Sequence, residues 1–219
     1  AAKAFYEARE AYLRKDYEAG RNLLEGFIGK RLNYGTNLPV GNLRIKDNKY
    51  PQQSKNTCHN TADSYIRSLS LDNALAEVNY TSDNGSIRRS CFVSNPHQVI
   101  VMRFVSVGGE ILDLSLSLDG GLNPYRTEAD SNMDLLLYGN AYESMHSDGQ
   151  TGVTFHGRMR VIPKGGVLEV AGRSPATGES APVQRELRIS GTDEVLVLLA
   201  VDTDFDGLDP ADKCKVHID

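Results

Sequence analysis

Two hydrophobic rhythms divide this chain. Near the start, Ala4, Phe5, Ala8, Tyr12 and Leu13 recur at helical spacing and predict a first helix. A second helical stretch runs from about Asp16 to Ile28 and carries Tyr17, Leu23, Leu24, Phe27 and Ile28. Asp16 suits its N-cap and Gly29 its stop, whereas Gly20 weakens its middle. Beyond residue 30 the rhythm changes to the period of two that belongs to strands. SYIRSLSLDNALAEVNYTS alternates in several places and runs into Asp83-Asn84-Gly85-Ser86, a hairpin signal because Asn-Gly accepts positive φ. SIRRSCFVS returns, and HQVIVMRFVSV follows with Val99, Val101 and Arg103 on one face and Ile100, Met102 and Phe104 on the other. After the Gly108-Gly109 turn, Leu112, Leu114, Leu116 and Leu118 share one face of EILDLSLSL. Further strands are predicted at MDLLLYGNAY, VTFHGRMRVIP, VLEVAG, RELRIS and EVLVLLAVDT, with turns at Lys164-Gly165-Gly166 and Gly191-Thr192-Asp193.

Short strands in succession, with no helices between them, predict an antiparallel sandwich rather than a parallel α/β sheet. The expected fold is therefore mainly β, one large antiparallel β-sandwich with a short helical segment at its N-terminus. Residues 1–30 form the helical lead, 38–206 the sandwich and 207–219 an exit linker. Two polar, turn-rich stretches, 47–64 and 119–132, are expected to be surface loops.

Composition narrows the function classes. The 219 residues are 40% apolar and 24% charged, as in ordinary globular proteins, and suffice for a substantial core. A net charge of −5 without a cluster of Lys or Arg argues against nucleic acid as a partner. The longest apolar run, VLVLLAV, is far below the roughly 20 residues a membrane helix needs, so no membrane partner is expected. Cys58, Cys91 and Cys214 have no metal-ligand spacing and allow at most one disulfide; Cys91, mid-strand beside Phe92, reads as structural. Asn79-Tyr80-Thr81 and Asn84-Gly85-Ser86 are sequons that fit a secreted glycoprotein.

Candidate chemistry is sparse. His59, His97, His146, His156 and His217 show no metal-ligand spacing; His97 reads as a turn residue, and His156 as a strand residue facing solvent or a neighbouring domain. The acidic pairs Asp113 with Asp119 and Glu186 with Asp193 lie in strand-and-turn contexts where exposed charge is expected. Ser-Val-Gly-Gly at 106–109 is a hairpin turn and not a nucleophile elbow. VDTDFDGLDPADK, residues 201–213, opens like an EF-hand loop, with Asp202, Asp204, Asp206 and Gly207 in position. Lys213 stands where the bidentate acid is required, Pro210 interrupts the loop, and the preceding segment reads as strand rather than helix. No metal and no cofactor is expected.

The order of the segments carries a resemblance. RSLSLDNALAEVNYTSDNGSIRRSCFVSNPHQVIVMRF, residues 67–104, is its most specific block, through Arg67, Leu69, Leu71, Ala74, Tyr80, Gly85, Arg89, Phe92, Ser94, Pro96, Val99 and Arg103. Tyr17-Glu18-Ala19, LPVGNLRI with Val40 and Asn42 as departures, GVTFHGRMRVIPKGGVLEV and GTDEVLVLLAVDTDF support it. In these features the chain resembles the N-terminal domain of glycoside hydrolase family 95, the α-L-fucosidase family. The resemblance covers nearly all of the chain, but a Gly-rich first strand and the downstream α/α-barrel, which holds that family's catalytic carboxylate and asparagine residues, have no counterpart in it. It implies a non-catalytic domain whose partners are a catalytic barrel in the same protein and a glycan substrate. The implied reaction is inverting hydrolysis of terminal α-L-fucosyl or α-L-galactosyl linkages, in an extracellular setting. No catalytic residue is carried over to this chain.

Two other functions compete. A stand-alone lectin-like sandwich would stack sugar rings on aromatic side chains; the chain has no Trp, but Tyr125, Tyr138 and Tyr142 are candidates for lining a groove. A calcium-stabilised adhesion sandwich is the third possibility, tied to the acidic run at 202–212.

Overall fold

The computed structural model of the chain describes residues 2–27, 37–49, 64–82, 85–109, 111–130, 133–143, 151–173 and 184–219. They form two compact units, residues 1–38 with 143–150, and residues 39–142 with 151–219. The first unit contains α1 (Ala2–Leu13) and α2 (Tyr17–Leu24), followed by a 3-10 turn at Glu25–Phe27. Asp16 caps α2 as the sequence predicts, its carboxylate accepting from the Ala19 N–H at 3.1 Å. Gly20 has a packing reason: a Cβ there would lie 2.8 Å from the Tyr12 ring, so only glycine lets the two helices approach. The expected stop at Gly29 lies outside the described residues.

The second unit is the predicted antiparallel sandwich. Its strands are β1 (Asn42–Asp47), β2 (Ser64–Ser70), β3 (Leu75–Ser82), β4 (Gly85–Ser94), β5 (Val99–Val107), β6 (Leu112–Asp119), β7 (Tyr125–Ala129), β8 (Leu135–Tyr142), β9 (Thr151–Pro163), β10 (Val167–Arg173), β11 (Gln184–Thr192) and β12 (Glu194–Thr203). A four-stranded sheet, β1-β6-β11-β10, faces an eight-stranded sheet, β2-β3-β4-β5-β12-β9-β8-β7. Every pairing is antiparallel. Alternation decides which side chains meet between the layers. Leu112, Leu114, Leu116 and Leu118 of β6 and Leu187 and Ile189 of β11 pack against Phe104, Leu135, Leu137, Phe155, Met159, Val195 and Val197 of the large sheet. Gly139 belongs to this layer because a Cβ there would lie 2.2 Å from the Phe155 ring.

Two segments differ from the sequence expectation. Within 119–132, read as a surface loop, residues Tyr125–Ala129 form the edge strand β7. Its exposed Arg126 and Glu128 left too little apolar periodicity to mark it. Within 207–219, read as an exit linker, Pro210–Ile218 form a helix, α3. Asp209 is its N-cap, accepting from Ala211 N–H at 2.8 Å, and Pro210 occupies the first turn, where a missing N–H costs nothing. Pro210, Cys214 and Ile218, four residues apart, form its buried stripe. Together with Val99 and Ala200 the last two build a second small core on the outer face of the large sheet.

Candidate functional site on the outer face of the large sheet

A set of charged and titratable side chains lies where α3 packs on β9 and β12. Strand register lines up Arg126 of β7, Tyr138 of β8, His156 of β9 and Asp202 of β12 as one row across four strands. The Arg126 guanidinium lies 3.9 Å over the Tyr138 ring, and Tyr138 meets the His156 ring at 4.5 Å between centroids. His156 is only 2% exposed, so of the two expected settings, solvent or a neighbouring domain, the first does not hold. The side chain leaves the outer face of the sheet, but that face is covered here. Burial, then the Arg158 charge, holds its pKa down at about 4. Burial, then the Glu128 carboxylate, pushes the Tyr138 hydroxyl above its ordinary value.

Beside this row sits a buried ion cluster that the sequence did not announce. Asp134, fully buried, accepts from Arg158 Nε at 2.7 Å, from Arg160 Nε at 2.8 Å and from Arg160 Nη2 at 2.8 Å. Arg158 also pairs with Asp130. Arg160 continues to the end of α3, donating to the Ile218 carbonyl at 3.2 Å and to Asp219 at 2.9 Å. These bonds, led by Asp134, raise the Arg160 pKa further. The helix C-terminus thus gains a cation for its unsatisfied carbonyls and its negative end.

Lys213 answers the calcium question. Its Nζ lies 2.7 Å from Asp202 and 2.9 Å from Asp206, and donates to the Thr203 carbonyl at 2.7 Å. An ammonium already occupies the place that the acidic spacing suggests for a metal ion. Two further acids hold backbone: Asp204 accepts from Thr154 N–H at 2.9 Å, and Asp209 caps α3. The approach to this loop is the strand β12 and not an EF-hand helix.

The other candidates scatter. Asp119, expected to be exposed, is 7% exposed and accepts from Asn42 at 2.7 Å, from Arg44 and from the Gly121 N–H at 2.9 Å. Burial alone would raise its pKa; the three hydrogen bonds outweigh that and hold it below the ordinary value. Asp113 accepts from Asn48 at 2.8 Å, and Glu186 pairs with Arg188 at 3.0 Å. His97 sits in the β4–β5 turn, bonded to Ser94 Oγ at 2.7 Å, as expected. His217 on α3 lies 3.8 Å from Asp202. His59, His146 and Cys58 lie outside the described residues. Cys91 is a half-buried free thiol and Cys214 a buried one, its pKa pushed up to about 12 by burial and then by Asp202.

What this arrangement can do chemically is limited. An inverting glycosidase needs an acid and a base facing a substrate cleft about 6.5–9.5 Å apart. Among the described residues, the buried carboxylates are Asp119, held by Asn42, Arg44 and the Gly121 N–H, and Asp134, held by Arg158 and Arg160. A cavity of about 110 Å³ between β1 and the β3–β4 floor includes Asp47, Tyr65, Tyr80 and Arg89 but a single carboxylate. A second, of about 270 Å³, is lined by Val93, Asn95, Gln98, Leu199 and Val201 among others and has none. The three tyrosines of the lectin reading do not make a common platform: Tyr125 packs on the core, Tyr138 is sandwiched by Arg126 and His156, and Tyr142 is 43% exposed.

Comparison with known proteins adds two findings. A family profile described as "Glycosyl hydrolase family 65, N-terminal domain" matches residues 1–208. Alpha-L-fucosidase 2 of Arabidopsis thaliana is 26% identical over 183 residues, covering 72% of this chain and 20% of that protein. The chain therefore spans about a fifth of the length of that curated relative. Among the described residues, no helix is long and apolar enough to cross a membrane.

Proposed function

The chain belongs to the family of N-terminal domains of glycosyl hydrolase family 65, and on that premise we propose that it is the non-catalytic sandwich of an α-L-fucosidase-like enzyme. The narrower placement, with family 95, draws on the residue 67–104 block and on the likeness to alpha-L-fucosidase 2. That block falls on β2, β3, β4 and β5, half of the large sheet. In this proposal residues 1–30 are a helical lead, 38–206 the scaffold, and 207–219 the route toward a catalytic α/α-barrel in the same protein. The barrel hydrolyses terminal α-L-fucosyl or α-L-galactosyl linkages of a glycan with inversion, and the enzyme works outside the cell.

The observation that carries the assignment is the state of the carboxylates. Asp119 and Asp134 each accept several charge-assisted hydrogen bonds, which take up the lone pairs a general base would use. Neither lines either of the two cavities described above. The test is hydrolysis of 4-nitrophenyl α-L-fucoside and its α-L-galactoside by the full-length protein, with the sugar followed by proton NMR. The proposal expects release of the β-anomer first. Turnover of α-glucosides alone, or retention, would move the protein away from the fucosidase assignment.

A further inference from the structure

We propose that His156 is an acid-sensitive latch: proton uptake on its imidazole loosens α3 from the outer face of the large sheet. The proposal is independent of which sugar the enzyme cleaves. Three observations meet at this residue. First, the ring is nearly fully buried, and its Nδ1 has no hydrogen-bond partner among the described residues. Protonation turns both ring nitrogens into N–H donors, so it places a charge and an unmatched donor in a covered site. Second, His156 is tied to α3 through its own backbone, because its carbonyl faces Cys214 Sγ at 3.5 Å. Third, the surrounding charges are arranged against a cation.

Those charges come from every element packed against the ring. Arg158 of β9 and Arg126 of β7 are like-charged with an imidazolium, and Tyr138 of β8 is its stacking partner. Glu128 of β7 is opposite in sign but pairs with Arg126 at 3.0 Å. Asp202 of β12 is held by Lys213 at 2.7 Å. Asp209 of α3 is the acid left over, and it acts electrostatically on His156 while its carboxylate caps the helix. An imidazolium that draws Asp209 to itself uncaps α3 at the same moment. His217, also on α3, gains a favourable charge beside Asp202 on protonation and so acts in the opposite direction.

The sign follows from linkage. The folded pKa of His156, about 4, lies below the ordinary 6.5. The docked state therefore has its full stability above pH 6.5 and loses it as the pH falls toward 4.

Cys214 reports the event, because its thiol is 0% exposed while α3 is docked. In the protein with Cys58 and Cys91 changed to Ser, 4,4′-dithiodipyridine labelling of Cys214 is measured from pH 7.5 to 4.5. Each rate is divided by the rate for the urea-unfolded chain at the same pH. The proposal predicts a rise of about tenfold or more between pH 7 and pH 4.5. In His156→Gln the profile stays within about twofold. Arg126→Gln, which removes a like charge, raises the docked pKa and shrinks the rise at the acid end, and Glu128→Gln enlarges it there. Both side chains are more than half exposed, so these two variants keep the test sharp should His156→Gln fail to fold. An equal rise in His156→Gln, a flat parent profile, or coincident Arg126→Gln and Glu128→Gln profiles would overturn the latch.

Discussion

The two flanks of the eight-stranded sheet are built from similar alternating sequence and end in opposite environments. On one flank, Leu135, Leu136 and Leu137 of β8 are all buried, the odd positions against the small sheet and Leu136 on the outer face. On the other, Tyr65, Ile66 and Leu69 of β2 are 57%, 60% and 64% exposed, although they are as apolar. The small sheet and α3 lie over β8, β9 and β12, while β2 pairs only with β3 among the described strands. Hydrophobic pattern selects a strand; burial is granted by whatever packs on it. The same contrast governs charge. Asp134 on the covered flank takes three hydrogen bonds from two arginines at zero exposure. Glu77 on the open flank holds Arg88 at 2.9 Å in an exposed pair.

The largest break in that comparison comes from charge. Asp134→Ala leaves Arg158, 6% exposed, without its main partner, and is expected to cost about 3–5 kcal/mol in urea unfolding. Glu77→Ala, where Arg88 returns to water, is expected to cost less than about 1 kcal/mol. Equal losses at the two sites would erase the distinction between covered and open flanks.

Packing gives the next effect. Leu137→Ala, at 3% exposure among Phe155 and Gly157, is expected to lose about 2–5 kcal/mol. Leu69→Ala, at 64% exposure, is expected to stay within about 0.5 kcal/mol. A large loss at Leu69 would mean that the open flank is covered in solution.

The smallest effect is a pH dependence at the β1–β6 corner. Asp119 has its pKa depressed in the folded state, so its contribution is present above the ordinary carboxylate value of about 3.9 and fades as the pH falls through the lowered one. The stability gap between the parent and Asp119→Asn should therefore be constant at neutral pH and narrow below about pH 4. A gap that widens on acidification would contradict the hydrogen-bond geometry from Asn42 and Arg44.

Much of the architecture could be read from period alone. The leucines of β6 and the two faces of β5 lie where alternation puts them, with Ile100, Met102 and Phe104 toward the core and Val99 and Val101 toward α3. Helix α3 escaped because its apolar stripe is short and its Asp209-Pro210 start lies inside an acidic run; an N-cap acid followed by proline was the signal present. The charged cluster was not legible at all. Arg160 and Asp134 are 26 positions apart, and Arg44 and Asp119 are 75 apart, so nothing local joins them. Likewise His156 alternates like a surface residue, and only α3 and Tyr138 convert that position into a buried one.

The central proposal is that the sandwich supports sugar-cleaving chemistry without containing it. The most direct measurement sets residues 1–219 beside the full-length protein on an aryl α-L-fucoside at equal molar concentration. The account predicts turnover by the long form and none above buffer by the short one. Turnover by residues 1–219, abolished when one of their own carboxylates is replaced, would contradict it.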